Sequence, residues 1–201
     1  MILTAIALVV AGAPSFDCSK ASTKVEKMIC ADEELAAVDR GMARLYASMR
    51  RSERYKGQAE WLAKRNRCHD RDCLLDAYDD RIFDIGFAAT APRYYSSSDN
   101  NGTLAILDVG GGWYVFKVVG LWFSTPESAN DAVEFGHFKL VRGKFRRPPA
   151  DLECGLEIER LPRDRWDVFE IPYKKDMPGC GGWNASVSGT YSRSSRDRKA
   201  Q

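Results

Sequence analysis

The sequence predicts an α+β protein: a small disulfide-stapled α-helical bundle followed by an antiparallel β-sandwich or barrel-like domain. Three observations carry this reading. The hydrophobic period is helical as far as residue 87 and becomes two past residue 103. Six cysteines fall into three locally spaced pairs, Cys18 with Cys30, Cys68 with Cys73, and Cys154 with Cys180. Between the two periods lies a polar stretch, Tyr94-Tyr95-Ser96-Ser97-Ser98-Asp99-Asn100-Asn101-Gly102, with turn chemistry.

The chain begins with an apolar run, residues 2–13, ending in Ala11-Gly12-Ala13. Small residues at that spacing suit signal cleavage, so residues 1–13 are read as a signal peptide, although no Lys or Arg precedes the run. The run is too short to span a bilayer as a helix, and no later segment qualifies. The mature chain is therefore expected to carry no membrane anchor. An even cysteine count behind such a leader reads as a disulfide framework in an oxidising compartment, periplasmic or secreted.

The helical domain is assigned to residues 14–90. Thr23 and Glu26 have capping-box spacing, which predicts a short helix running to Cys30. Asp32 then caps a longer helix whose stripe is Leu35, Val38, Met42, Leu45 and Met49. Gly41 weakens this helix without breaking it. A third helix includes Trp61 and Leu62, and a fourth carries Leu74, Tyr78, Ile82 and Ile85. Many pairings of six cysteines are possible. Local closure is preferred: Cys68 to Cys73 staples the turn between the last two helices, and Cys18 to Cys30 ties the incoming chain to the first.

A linker is assigned to residues 91–102, a β-domain to 103–191 and a disordered polar tail to 192–201. Residues 103–109 and 113–119 are apolar runs separated by Gly110-Gly111-Gly112, a hairpin signal. Further strands are read from alternation through Val133, Phe135 and His137, through Leu152, Cys154, Leu156 and Ile158, over residues 166–171, and through Trp183, Ala185, Val187, Gly189 and Tyr191. Six or so short strands with regular turns suit a sandwich or barrel.

Charge excludes one class. The formal net charge is +2, and residues 14–95 carry 15 Lys and Arg against 14 Asp and Glu, as do residues 96–201. Neither half has the basic excess of a nucleic-acid binder, so no nucleic acid is expected. Enzymatic signals are thin. His69 and His137 lie in different halves, and Cys68, His69 and Cys73 lack a clear fourth metal ligand. No catalytic residue, metal or cofactor is assigned.

Two acidic faces are the candidate partner-binding surfaces. On the fourth helix Asp72, Asp76, Asp80 and Asp84 recur every four residues beside Asp79. On the strand through Cys154, Glu153, Glu157 and Glu159 share the outward face. A basic protein is the natural ligand of either. Tyr94 and Tyr95 are read as exposed aromatics, and Trp122 and Phe123 as core.

The stretch Phe16-Asp17-Cys18-Ser19-Lys20-Ala21-Ser22-Thr23, continuing through Val25-Glu26-Lys27-Met28-Ile29-Cys30, resembles the LprI-type lysozyme-inhibitor family of bacterial envelope proteins. The match continues through Asp32, Leu35, Asp39, Tyr46, Gln58, Trp61, Leu62, Arg65, Cys68, Cys73, Leu74, Tyr78, Arg81 and Ile82. It covers residues 16–85, and the four cysteines are its specific part. The ending Cys180-Gly181-Gly182-Trp183, running on to Gly189-Thr190-Tyr191, looks like the last strand of a β-domain found in this company. The resemblance implies an exported protein that binds and inhibits lysozyme or another cell-wall hydrolase without catalysis. It brings no inhibitory residues to place on this chain. A cell-envelope interaction or immunity module with another target is the competing expectation, and a wall-active hydrolase a third.

Overall fold

The computed structural model describes residues 12–49, 57–85, 91–97, 101–125, 128–150, 153–174, 180–181 and 184–193. The expected signal peptide as far as Ala11, the tail beyond Arg193, and the strand residues Leu152 and Trp183 lie outside them.

Among the described residues the first half folds into four α-helices. A 3-10 turn, Cys18–Lys20, leads into α1, Lys24–Ala31, whose Thr23 cap and Glu26 complete a capping box. The backbone N–H groups of Thr23 and Ser22 hold the Glu26 carboxyl at a pKa of about 2. Asp32 ends α1 and caps α2, Glu33–Ser48, accepting from the N–H groups of Glu34 and Leu35. Helix α3 is Gln58–Arg65 and α4 is Arg71–Ile85. Between them the Asp70 carboxylate accepts from the Cys73 N–H, inside the loop closed by Cys68–Cys73. The other bridges are Cys18–Cys30 and Cys154–Cys180, so the pairing is the local one. Every position of the α2 and α4 stripes is buried. None of the described helices is long and apolar enough to cross a membrane.

Among the described residues the second half is a single antiparallel sheet of eight strands: β1 Arg93–Ser96, β2 Thr103–Gly110, β3 Trp113–Thr125, β4 Ser128–Lys139, β5 Lys144–Arg147, β6 Gly155–Leu161, β7 Arg165–Ile171 and β8 Gly189–Ser192. Their order is β4-β3-β2-β1-β8-β7-β6-β5, and the sheet curls into a nearly closed barrel. Leu104, Ile106, Tyr114, Phe116, Phe138, Leu156, Ile158, Trp166, Val168 and Tyr191 fill the interior.

Four sequence assignments are corrected here. The linker contains a strand: Arg93–Ser96 joins β2 to β8, and Tyr94, expected outside, is 3% exposed in the barrel interior. Just ahead of β2, Asn101 lies at φ 44°. The last strand is shorter than its alternation suggests. Ala185 and Val187 are buried, but residues 185–188 stay outside the ladder, because the Ser188 hydroxyl accepts the Glu170 N–H and the Ser186 hydroxyl the Ser188 N–H. Phe123, expected in the core, is 48% exposed, while Trp122 is partly buried against the interior.

The helices and the sheet share a core. Ala105, Val109, Trp113 and Val115, on the outer face of β2 and β3, join the cluster built on Leu35, Val38, Met42, Leu74, Tyr78 and Ile82. Strands covered on both faces read as continuous apolar runs, which is how residues 103–109 and 113–119 appear. Gly41 is explained by this contact: a Cβ on it would lie 2.6 Å from Val115 Cγ1. Gly41→Leu is expected to cost about 1–3 kcal/mol by overpacking. A urea midpoint equal to wild type would mean that α2 does not press on β3.

Candidate functional site

The residues quoted for the resemblance prove to be scaffold. Tyr78 donates to Asp39 Oδ1 at 2.6 Å, the Ser15 N–H donates to Asp39 Oδ2 at 2.7 Å, and Arg65 lies 3.8 Å from the same carboxylate. Burial, together with the Asp39 charge, raises the Tyr78 phenol far above its ordinary pKa, so it remains a donor. Trp61 packs edge-on against Tyr78 and donates Nε1 to the Ala77 carbonyl. Arg81 donates to Gln58 Oε1. Asp39, Tyr78 and Trp61 satisfy their buried polar atoms inside the helical layer, which suits rigidity rather than ligand exchange.

A second polar layer joins the helices to the sheet. His137 of β4 lies between α2 and α4, its Nε2 2.9 Å from Glu34 Oε1 and its Nδ1 2.8 Å from Asp79 Oδ1. Burial pushes the imidazole pKa down, but the two carboxylate hydrogen bonds and their charges outweigh it and raise it to about 9. At neutral pH His137 is an imidazolium that donates from both nitrogens. The hydrogen bond from His137 in turn lowers the Glu34 pKa against its partial burial. Arg71 reaches across from α4 to Asp32 at 2.9 Å and also pairs with Glu34, and Lys139 donates to both oxygens of Glu33 at 2.8 and 3.0 Å. Asp79 packs directly on Gly136, where a Cβ would stand 3.2 Å from its carboxylate. Among the described residues both ring nitrogens of His137 are hydrogen-bonded to carboxylates of different helices, which is the geometry of a clamp.

Asp79 is also one wall of an open groove. A cleft of about 820 Å³ runs between α4, β4 and the Cys154–Cys180 bridge, with Asp76, Asp79, Asp80, Glu134, Glu153, Lys64, Arg147 and Tyr173 in its lining. An adjoining hollow of about 430 Å³ shares Lys64, Asp80 and Phe135 and adds Glu60, Arg81, Phe83 and Asp84. Among the described residues they present seven carboxylates against three cations, in a chain of formal net charge +2. Lys64 pairs with Asp80 at 2.5 Å and Arg147 with Glu134 at 2.8 Å. Among the described residues no cation lies within ion-pair distance of Asp76 or Glu153, and both side chains are exposed. At the junction Phe83, 40% exposed, packs on Phe135 at 4.8 Å between ring centroids.

The two acidic faces read from the sequence therefore meet, but only in part. Asp76, Asp80 and Glu153 line one cleft, and Asp84 lines the hollow beside it, 3.8 Å from Arg81. Asp72 stands outside both linings, 3.7 Å from Arg71. Glu157 and Glu159 face outward on β6 and pair with Arg146 and Lys144 of β5, away from the groove. Glu153 precedes β6 instead of lying in it, which is why it turns toward α4 while the other two do not. The sequence reading missed Glu134, Glu60, Lys64, Arg147 and the clamp role of His137. Alternation set Glu134 apart from Val133, Phe135 and His137, but nothing local tied it to α4.

Among the described residues no group of His, Cys, Asp and Glu is arranged to hold a metal ion. Comparison with protein-family models, with curated proteins and with solved structures finds no match to the chain.

Proposed function

We propose that this protein is an exported, non-catalytic inhibitor of lysozyme or a similar basic cell-wall hydrolase, acting in the periplasm or after secretion. The observation that carries the reading is the groove: seven carboxylates gathered between two disulfide-bridged layers, on a protein with little net charge of its own. A concentrated negative patch attracts and orients a basic partner without making the whole surface sticky. The rigid helix–sheet clamp behind it lowers the ordering cost of binding. The resemblance to the LprI-type family points the same way, and three disulfides fit an oxidising compartment.

A different target, as for an immunity or envelope interaction module, is favoured by one feature. Lys64 and Arg147 stand inside the groove, and a trap tuned only to a strongly basic surface would be better without them.

The test mixes purified, oxidised protein with several lysozymes and follows lysis of bacterial walls. The expected result is inhibition of at least one at micromolar protein, with no clearing of the wall suspension when lysozyme is omitted. Inhibition of none would leave the interaction-module reading in its place, and clearing by the protein alone would make it a hydrolase.

A further inference from the structure

The ends of the strand order, β4 and β5, border one seam along which the barrel is open. At one end the seam is drawn together by the short connection after Lys139, where Val141 and Lys144 exchange backbone hydrogen bonds. Toward the other end no backbone hydrogen bond joins β4 to β5 among the described residues. There Glu134 of β4 reaches Arg147 of β5 through side chains only, and the acidic cleft occupies the gap. Among the described residues β4 is hydrogen-bonded as a strand to β3 alone.

An unpaired edge presents N–H and C=O groups at alternate residues and is a template for another strand. Charge decides which strand. This edge carries the exposed Asp131 and the half-buried Glu134, and Glu134 lines the same cleft as Asp76, Asp80 and Glu153, so a second copy of this edge would meet like charge while a basic segment would not. Beyond Arg147, Pro148 and Pro149 stop β5 from continuing along the gap.

We infer that the seam takes an added strand: an extended, Lys- or Arg-rich segment of a protein partner pairs its backbone with β4 and points cations at Asp76, Asp80 and Glu153. The inference rests on the acidic-groove reading above and adds its mode, backbone pairing rather than charge alone. The Arg147 guanidinium occupies the place at Glu134 that the partner's first cation takes, so Arg147 is a latch on the seam.

The test uses full-length oxidised protein and three synthetic octapeptides of alternating Lys and Thr: the parent, one N-methylated at every Lys and one N-methylated at every Thr. In a strand the Lys and Thr N–H groups point to opposite edges, so only one set can face β4. Titration calorimetry is expected to show binding of the parent, a loss of tenfold or more for one methylated peptide, and little change for the other. Arg147→Ala is expected to tighten the parent severalfold. Equal affinities for all three peptides, or equal losses for both methylated ones, overturn the added strand. If the charge reversal Glu153→Lys still weakens the parent in that case, the acidic groove stands without it. If neither charge reversal nor methylation changes binding, or the parent does not bind, both fall.

Discussion

Stability is expected to fall by about 3 kcal/mol between pH 6 and pH 10, because His137 loses its proton over that window. The folded imidazole has a pKa of about 9 and an unfolded one about 6.5. A folded pKa above the unfolded value means that the folded chain binds the proton more tightly. The stabilisation is complete below pH 6.5 and disappears as pH rises through 9. A difference of that size corresponds to roughly 3 kcal/mol, since each pKa unit is about 1.4 kcal/mol. The conversion is warranted because the His137 side chain is only 9% exposed. Lysines and tyrosines also titrate on the way, so the informative quantity is a difference. Urea unfolding of wild type and of His137→Gln at pH 6, 8 and 10 should give a gap that is largest at pH 6 and closes toward pH 10. Parallel stability curves would mean that the clamp between Glu34 and Asp79 contributes nothing as a charge.

Reversing Asp76 and Glu153 together is expected to weaken binding of the basic hydrolase proposed as the target about a hundredfold at low salt. Among the described residues these two carboxylates line the cleft with no cation in ion-pair distance, so their field is the least compensated there. Each exposed charge reversed near a docked cation is assigned about tenfold, an allowance kept small because water screens such groups. The effect should shrink by most of that factor as ionic strength rises from about 0.01 M to about 0.15 M, since the screening length falls from about 30 Å to about 8 Å. Glu157→Lys with Glu159→Lys makes the same change in net charge on the far side of the barrel, where both residues are paired with β5. That variant should inhibit like wild type. Equal losses for the two double variants would assign the effect to overall charge and remove the groove from the account.

The groove also explains why neither acidic face could be judged from spacing. Four-residue recurrence places Asp72, Asp76, Asp80 and Asp84 on one side of α4, yet only the middle pair enters the large cleft. Asp79, between them in sequence, turns inward to His137 and Gly136. Likewise Glu157 and Glu159 obey strand alternation while Glu153 sits just outside the strand and escapes it. The linker was misread for a related reason. Tyr94 and Tyr95 lie beside Ser, Asn and Gly, and a four-residue strand in such company has too few alternations to register.

What the sequence determined alone is what near neighbours decide. Thr23 with Glu26, Asp32 with Glu34 and Leu35, and the stripes of α2 and α4 join residues close along the chain and are legible as periods and spacings, whereas the cysteine pairing is only a preference for local closure among many possible pairings. The tertiary structure decided the rest. His137 meets Asp79 across 58 residues and Glu34 across 103, and the cleft draws its walls from α3, α4, β4 and the loops at Glu153 and Tyr173. No local pattern encodes such meetings, because they exist only once the outer face of β2 and β3 has been buried under α2 and has brought α4 over β4.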